Sequence, residues 1–240
     1  SAGQASRAIG VAAKASAGTE GEAVILTSYA AGVSAFGEDE TPGMSTMLRL
    51  LFANGASTVA AVRVAEAGEV ADYQAAFDAL ARQDVQIMVC DSTDEAVHQA
   101  LRTAVETASA SRKERIGVVG GSGEEASALV EHAAALNSER MVLVGPDVLD
   151  EAGETLSGAF AAAALAGVIA SNADPAVPLN GAEIRGLGGV STDYGDNDID
   201  LLVRGGVTPL ESSGGVLSPV RGITTRTTTG DVTDTTWREL

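Results

Sequence analysis

A glycine-rich segment is the clearest candidate for a cofactor-binding motif in this sequence. Residues 121–126 read Gly-Ser-Gly-Glu-Glu-Ala, follow an apolar run typical of a buried strand and precede a helical pattern. Such a turn can bind the pyrophosphate of a dinucleotide, and Asp147, near the end of the next predicted strand, could bind the ribose. Glu124 and Glu125, however, place negative charge where the pyrophosphate would bind. The favoured interpretation is a tight strand-to-helix turn with an acidic first helical turn.

A second candidate is a run of carboxylates with the spacing of a calcium loop. Residues 196–200 read Asp-Asn-Asp-Ile-Asp. A calcium loop of this type needs glycine at its sixth position and glutamate at its twelfth, where this chain has Leu201 and Val207. We therefore predict no metal site here, and interpret the acids as the opening of a short helix near residues 198–204.

Cys90, Asp91, His98 and His132 could form a thiol-based site if the fold brought them together. Nucleophilic catalysis requires a base within hydrogen-bond reach of the thiol, and no motif in the sequence places either histidine there. We interpret Cys90 as a small apolar residue that ends a buried strand. Both histidines fall in helical patterns, and we expect them on the surface.

The elements that would position these residues alternate regularly from residue 70 onward. Apolar runs typical of strands covered on both faces lie at residues 85–90, 116–119 and 141–144. The helices between them begin at predicted capping boxes, Ser92 with Glu95 and Ser122 with Glu125. This alternation predicts an α/β fold with a parallel or mixed sheet and helices on both faces.

The chain divides into three predicted parts. Residues 66–172 form the α/β core, closed by an Ala-rich helix over residues 154–171 that is apolar almost all round and therefore buried. We expect residues 1–65 and residues 173–240 to pack together as a smaller flanking α+β subdomain or second layer. The predicted elements of these flanks are strands at 8–13, 23–28 and 58–64, a helix ending near Gly55, and an extended segment at 216–227.

The composition excludes several classes of function. The 240 residues carry 33 acidic and 15 basic side chains, a formal charge of −18, and such a surface repels the phosphates of nucleic acids. The longest apolar run, residues 158–170, is shorter than the ~20 residues of a membrane span. Cys90 is the only cysteine, so no intramolecular disulfide can form. We expect a protein that neither binds nucleic acid directly nor inserts into a membrane.

The last residues suggest a further element. Thr236 and Glu239 have the spacing of another capping box, yet the sequence ends at Leu240. A helix start with no helix behind it predicts truncation, so we expect residues 173–240 to lead into a C-terminal part that is absent from this chain.

The order of short segments resembles one protein family. Residues 8–18 and 23–28 are followed by Phe36-Gly37, by Leu-Phe-Ala-Asn-Gly at 51–55 and by Val-Ala-Ala-Val-Arg-Val at 59–64. This order is similar to the start of the contractile-tail sheath proteins of bacteriophages. Later segments resemble the connection between the α/β core and the C-terminal part of that family: residues 165–174, 177–181, 207–210 and 220–225.

The resemblance implies a structural protein. A sheath subunit self-assembles into stacked hexameric rings around a tail tube, and the sheath contracts to drive the tube through a cell envelope. Implied partners are other copies of the chain, the tube protein and the baseplate. The implied location is the virion tail, after assembly in the host cytoplasm. We accordingly expect no enzyme activity, cofactor, catalytic residue or metal ligand. Two alternatives remain open, an α/β nucleotide-binding enzyme or binding protein, and a different self-assembling shell protein.

Overall fold

The computed structural model describes residues 7–123, 125–172, 178–229 and 232–233. Within these residues the chain forms seven helices: α1 (Tyr29–Phe36), α2 (Met44–Ala53), α3 (Val70–Ala81), α4 (Glu95–Ala110), α5 (Ala126–Leu136), α6 (Gly158–Ser171) and α7 (Asp196–Arg204). The same residues form thirteen strands: β1 (Ile9–Lys14), β2 (Ala23–Leu26), β3 (Val59–Val64), β4 (Ile87–Cys90), β5 (Ile116–Gly120), β6 (Met141–Gly145), β7 (Val148–Leu149), β8 (Thr155–Leu156), β9 (Gly189–Val190), β10 (Val207–Ser213), β11 (Val216–Pro219), β12 (Thr228–Thr229) and β13 (Val232–Thr233).

Eight of these strands form one sheet in the order β11-β10-β6-β5-β4-β1-β3-β2. The six inner strands are parallel, and the edge strands β2 and β11 are antiparallel to their neighbours. A small antiparallel sheet of β8, β7 and β9 lies apart from the large one. This architecture confirms the predicted fold class, a mixed α/β sheet with helices and a smaller unit beside it. The smaller unit is built from β7, β8 and β9 and not, as predicted, from the N- and C-terminal segments together.

Helices cover both faces of the large sheet, and alternate residues of each strand point to opposite faces. In β1, Ile9, Val11 and Ala13 pack with α1, α2 and α6, while Ala12 packs with the helices of the other face. That second face is covered by α3, α4, α5 and α7. Inner strands buried on both faces explain the continuous apolar runs in the sequence.

Helix α6 packs unusually close to the sheet. Twelve of its 14 residues are buried, and most of them are Ala or Gly. A β-carbon at Gly120, the last residue of β5, would overlap the backbone of Gly158 and Ala159 at the start of α6. A β-carbon at Gly158 would in turn lie 2.7 Å from the carbonyl oxygen of Gly121. Backbone therefore meets backbone at this contact, which requires glycine on both sides.

The strands of residues 1–65 lie inside the large sheet rather than beside it. β1 pairs with β3 on one side and with β4 on the other, so it joins the predicted flank to the predicted core. From residues 173–240, β10 extends the same sheet by pairing with β6. The flanks also touch each other, because the side-chain amide of Asn54 bonds the backbone of Arg185 in both directions, at 2.9 and 2.8 Å. Domain boundaries at residues 65 and 172 remain a prediction.

Both predicted capping boxes at the starts of α4 and α5 are wrong. Helix α4 begins two residues later than predicted, because the carboxylate of Asp94 accepts the N–H of Ala96 and makes Asp94 the N-cap in place of Ser92. Ser92 instead accepts the N–H of Asp94. At α5 the N-cap is Glu125, whose side chain makes no capping bond. The motif predicted at Thr236 and Glu239 lies outside the described residues.

Other elements differ from the sequence prediction in extent. Helix α1 was not predicted, although Ser28 caps it by accepting the N–H of Ala31 at 3.1 Å. Helix α6 begins at Gly158, because the residues before it form β8. The extended segment predicted at 216–227 contains β11, and the hairpin partner β10 was missed.

The contact between β5 and α6 predicts a large effect of one methyl group. We expect Gly120→Ala to lower the free energy of unfolding by about 3 kcal/mol, because the new carbon can only be accommodated by moving α6. Gly123→Ala is the matched control, since Gly123 has φ of 79° but nothing within 4 Å of its added carbon. Its expected cost is about 1 kcal/mol of backbone strain. Equal losses in denaturant titrations would show that the steric contact is unimportant.

Candidate functional site

The glycine-rich turn after β5 is occupied by the protein's own carboxylate. Oδ1 of Asp147 accepts the N–H of Gly123 at 3.3 Å and the N–H of Gly158 at 3.1 Å. Asp147 thus caps the start of α6, where the side chain of the N-cap residue Ser157 makes no capping bond. Within the turn, Asp147 takes the N–H of Gly123, and Glu125 at the start of α5 opposes a pyrophosphate by its charge. The turn is a packing device, as the sequence interpretation favoured.

The carboxylates of residues 196–200 lie on a helix and not in a loop. Asp196 and Asp198 occupy the first turn of α7, where they complement the positive end of the helix dipole. Asp200 forms an ion pair with Arg204 at 3.0 Å, and both side chains are exposed. Across the residues that the structure describes, no group of three or more His, Cys, Asp or Glu is arranged to hold a metal ion.

The carboxyl ends of β1 and β4 form the position where open α/β sheets usually bind ligands. The strand order β3-β1-β4-β5-β6 reverses direction between β1 and β4, and such a switch point opens a crevice. Here Asp91 fills it: its carboxylate accepts the hydroxyl of Tyr73 at 2.5 Å and the N–H of Lys14 at 3.1 Å. Burial raises the pKa of Asp91 above the ordinary aspartate value, and burial and the nearby Asp91 raise the pKa of Tyr73.

Cys90 is not a nucleophile in this environment. The side chain is fully buried, and burial together with Asp91 raises the pKa of its thiol to about 12. Its sulfur lies 3.8 Å from the carbonyl oxygen of Ser92, the acceptor of its only hydrogen bond within the described part of the chain. Because the thiolate is the reactive form, a thiol with this pKa is inert at neutral pH. The interpretation of Cys90 as a core residue agrees with this geometry.

The predicted surface position of His98 is wrong. His98 is fully buried between α4 and α5, and its Nδ1 lies 2.7 Å from Nε2 of His132, which is half-buried. Its Nε2 lies 2.7 Å from the carbonyl oxygen of Ser92. A carbonyl only accepts, so Nε2 of His98 donates to Ser92, and Nδ1 accepts from His132. Burial lowers the pKa of His98 to about 4, and burial also lowers that of His132.

The histidine pair could have been found from helical spacing. His98 lies three and seven residues before Leu101 and Val105, and His132 lies three residues after Leu129. These are spacings of one helix face, and that face is the apolar one in both helices. The pairing itself could not be predicted, because it depends on how α4 and α5 pack side by side.

The candidate residues therefore do not assemble into a reaction centre in the described part of the chain. Three of the candidate side chains reach internal partners instead: Asp147 bonds a helix start, Asp91 a tyrosine, and His98 a histidine and a carbonyl. No helix among the described residues has the length and apolar character to cross a membrane. Fold and site together define a densely packed mixed α/β structural domain.

Comparison with known proteins identifies the family. The model of the phage tail sheath protein central domain matches residues 67–225, and the chain belongs to this family. The tail sheath protein of Bacillus phage SP01 is 32% identical over 157 residues, 62% of this chain and 27% of that protein. The chain thus spans about a quarter of the length of this curated relative.

Solved sheath structures share the fold at low sequence identity. The sheath tail protein of Desulfitobacterium hafniense superimposes with a TM-score of 0.80 at 12% identity, covering 98% of this chain and 75% of that one. The sheath tail protein of Listeria innocua gives 0.78 at 11% identity, with 98% and 72% covered. The contracted helical sheath of the anti-feeding prophage gives 0.71 at 18% identity, with 100% and 66% covered. These likenesses establish the architecture.

The role of Asp147 predicts a stability effect. We expect Asp147→Ala to lower the free energy of unfolding by about 2 kcal/mol, because two N–H groups lose a charged acceptor. Asp193→Ala, an exposed acid before α7, is the matched control and should change stability by less than about 0.5 kcal/mol. Denaturant titration of both variants at neutral pH measures the difference. Equal effects would mean that Asp147 does not hold the start of α6.

The histidine pair predicts a loss of stability in acid. Because the pKa of buried His98 is about 4 in the folded chain and near 6.5 when unfolded, the unfolded chain binds more protons between these values. Stability is therefore complete above pH 6.5 and is lost as the pH falls towards 4, on the order of 3 kcal/mol from His98.

The variant His98→Gln/His132→Gln removes both titrating rings and supplies the control, since the chain has two histidines. Its free energy of unfolding should vary less between pH 7 and pH 5 than that of the natural chain. Parallel pH slopes in the two proteins would show that the pair does not titrate as the structure indicates.

Proposed function

We propose that this protein is the sheath subunit of a contractile tail or injection machine. The proposal rests mainly on the family match over residues 67–225. These residues include strands of the large sheet and helices on both of its faces. In this role the chain assembles with other copies into stacked six-fold rings around a tail tube. The rings join a baseplate, and their contraction drives the tube through a cell envelope.

The partners named here are supported to different degrees. The relatives include a contracted sheath and baseplate assemblies of the anti-feeding prophage, which supports self-assembly and association with a baseplate. The tube protein is the partner that an encircling sheath requires. Direct nucleic-acid binding is opposed by the charge of −18. The proposed location is the tail of a virion or injection system, assembled in the cytoplasm of the host.

A structural role without bond chemistry fits the internal use of the polar groups. The groups best suited to catalysis have partners that hold elements together, and Cys90 is protonated at neutral pH. Contraction then consists of subunits that change their packing as nearly rigid bodies. The dense cores on both faces of the sheet support this, because packed interiors resist deformation.

Electron microscopy of the complete gene product, with and without its tube protein, tests the proposal. We expect tubes or stacked rings with six-fold symmetry, formed more readily when the tube protein is present. Particles that stay monomeric under both conditions contradict the sheath function. Assemblies of another symmetry would favour the alternative of a different shell protein.

Calorimetric titration with NAD distinguishes the sheath function from the alternative of a nucleotide-binding enzyme or binding protein. We expect no binding, because Asp147 occupies the N–H of Gly123 in the turn and Glu125 places negative charge at the start of α5. Binding that disappears in Gly123→Val would contradict this expectation and support a nucleotide-binding protein.

A further inference from the structure

Basic residues are concentrated at one edge of the large sheet. Three short connections lead from α3, α4 and α5 to the amino ends of the parallel strands β4, β5 and β6; we call residues 82–86, 111–115 and 137–140 the basic edge. It holds five of the 15 basic residues of the chain against three acids. The five cations are Arg82, Arg112, Lys113, Arg115 and Arg140.

A pocket of about 430 Å³ lies between the first two connections. Four of these cations line it, against the carboxylates of Asp84 and Glu114. Glu114 is already neutralised by Arg140 at 2.6 Å. Among the residues that the structure describes, the side chains of Arg82, Arg112 and Lys113 make no ion pair or hydrogen bond, and all three are exposed. The pocket therefore presents a net positive charge on a strongly acidic protein.

Arg115 anchors this pocket from below. Its guanidinium is 3% exposed and donates to the carbonyl oxygens of Leu80 and Gln83, each at 3.1 Å. Its Nε is buried and has no acceptor within the described ranges. The nearby carboxylate of Asp84 stabilises the charged form of Arg115, although the two form no ion pair in the described part of the chain. Arg115 thus fixes the end of α3 and adds a positive charge at the base of the pocket.

Arg112 is held in an unusual backbone conformation. Its φ is 63°, in the left-handed region, directly after the C-cap Ser111 of α4. Glycine normally occupies this position, and another residue costs about 1 kcal/mol. The conformation ends α4, because the N–H of Arg112 donates to the carbonyl oxygen of Ser109 at 3.0 Å and the N–H of Lys113 donates to that of Ala108 at 2.9 Å. The helix end therefore places Arg112 and Lys113 side by side at the basic edge.

The opposite edge of the sheet has the complementary charge. Segments 65–72, 91–95, 121–126 and 146–154 follow the carboxyl ends of β3, β4, β5 and β6; together they contain twelve acids and no Lys or Arg, although Asp91 and Asp147 are bonded internally. We call these segments the acidic edge. Glu66, Glu95 and Glu125 are exposed examples on its described part. Lys14, the last residue of β1, also lies at this end, with its Nζ next to Gly68. Because the inner strands are parallel, the basic and acidic edges lie at opposite ends of the molecule.

Helix dipoles account for part of this pattern. Acids at helix starts and bases at helix ends are each favoured by about 0.3–1 kcal/mol, and the effect fades within one turn. The dipoles do not require a pocket lined by four cations, or that three of these cations be exposed and without an ion pair among the described residues. These features indicate a surface that receives an anionic partner.

We propose that the basic edge binds the acidic edge of a second copy of this chain, in a head-to-tail contact. The partner is a second copy because the complementary charge lies on the same chain. A two-fold pair stacked end to end would place basic edge against basic edge, whereas a head-to-tail contact joins two different surfaces and repeats into a ring or helical array. The inference names an interface for the proposed sheath and therefore rests on that function.

Zero-length carbodiimide coupling tests the contact, because it joins lysine amines to carboxylates that touch them. The chain has two lysines, Lys14 and Lys113, so the products are simple to assign. A mixture of ¹⁵N-labelled and unlabelled chains distinguishes links between copies from links within one copy. We expect mixed-label peptides that join Lys113 to Glu66, Glu95 or Glu125. Lys113 linked to other carboxylates, or not linked between copies, overturns the proposal.

Charge reversal provides the quantitative test. We expect Arg82→Glu/Lys113→Glu to weaken self-association at least tenfold, measured by sedimentation at 0.15 M salt. At this salt concentration charges more than about 8 Å apart are screened, so only charges that touch across the interface contribute. The matched control is Arg185→Glu/Arg204→Glu, which reverses two cations that are 70% and 78% exposed outside the pocket. Equal weakening by both variants would mean that net charge alone matters, and would overturn the proposal.

A second variant keeps the test independent of folding defects. Glu66→Lys/Glu95→Lys alone should also fail to associate, but its mixture with Arg82→Glu/Lys113→Glu should recover at least tenfold, because opposite edges again match. No recovery with both variants folded overturns the head-to-tail contact. If six-fold tubes form while Lys113 contacts the tube protein instead, this inference fails and the sheath function stands.

Discussion

The contact between the end of β5 and the start of α6 determines much of this structure. Because neither Gly120 nor Gly158 has a β-carbon, the helix axis approaches the sheet more closely than side chains would allow. A helix that lies so close to a sheet must be built of small residues, and most residues of α6 are Ala or Gly. Its buried position then allows α2 to pack across it, where a β-carbon at Gly167 would meet the carbonyl oxygen of Leu51 at 2.8 Å. Close backbone packing takes the place of large aromatic side chains, which make up only 3% of this sequence.

The same close approach explains why a sheet with the strand order of nucleotide-binding proteins has no nucleotide site. A phosphate binds where a helix start leaves N–H groups open. Here α6 is drawn against β5, and Asp147 uses the free donors to fix it. At the neighbouring switch point, Asp91 uses its acceptors on Tyr73 and Lys14. At the positions where related folds bind ligands, the polar groups of this chain bond other parts of the same chain. The strand order alone therefore does not indicate an activity.

Sequence patterns predicted the parts of the fold that depend on local chemistry. The apolar runs of β4, β5 and β6 and the all-round apolar α6 are visible because burial on both sides leaves a continuous signal. The start of α4 was misplaced because Ser92 and Asp94 are both good N-caps within two residues, and only geometry decides between them. The place of β1 beside β4 and the pairing of His98 with His132 depend on contacts across 78 and 34 residues, which no local pattern encodes.

Two features of the subunit affect contraction: its rigid core, and the opposite charges of its basic and acidic edges. A core packed on both faces of one sheet leaves little freedom within the subunit, so large changes of shape in an assembly must occur between subunits. Contacts that change partners must be reversible, and exposed charge pairs are weak individually, at about 0–1 kcal/mol each. Many such pairs spread over two opposite edges can hold neighbouring copies while allowing them to slide. An apolar interface of the same area would hold one arrangement more tightly and resist that movement.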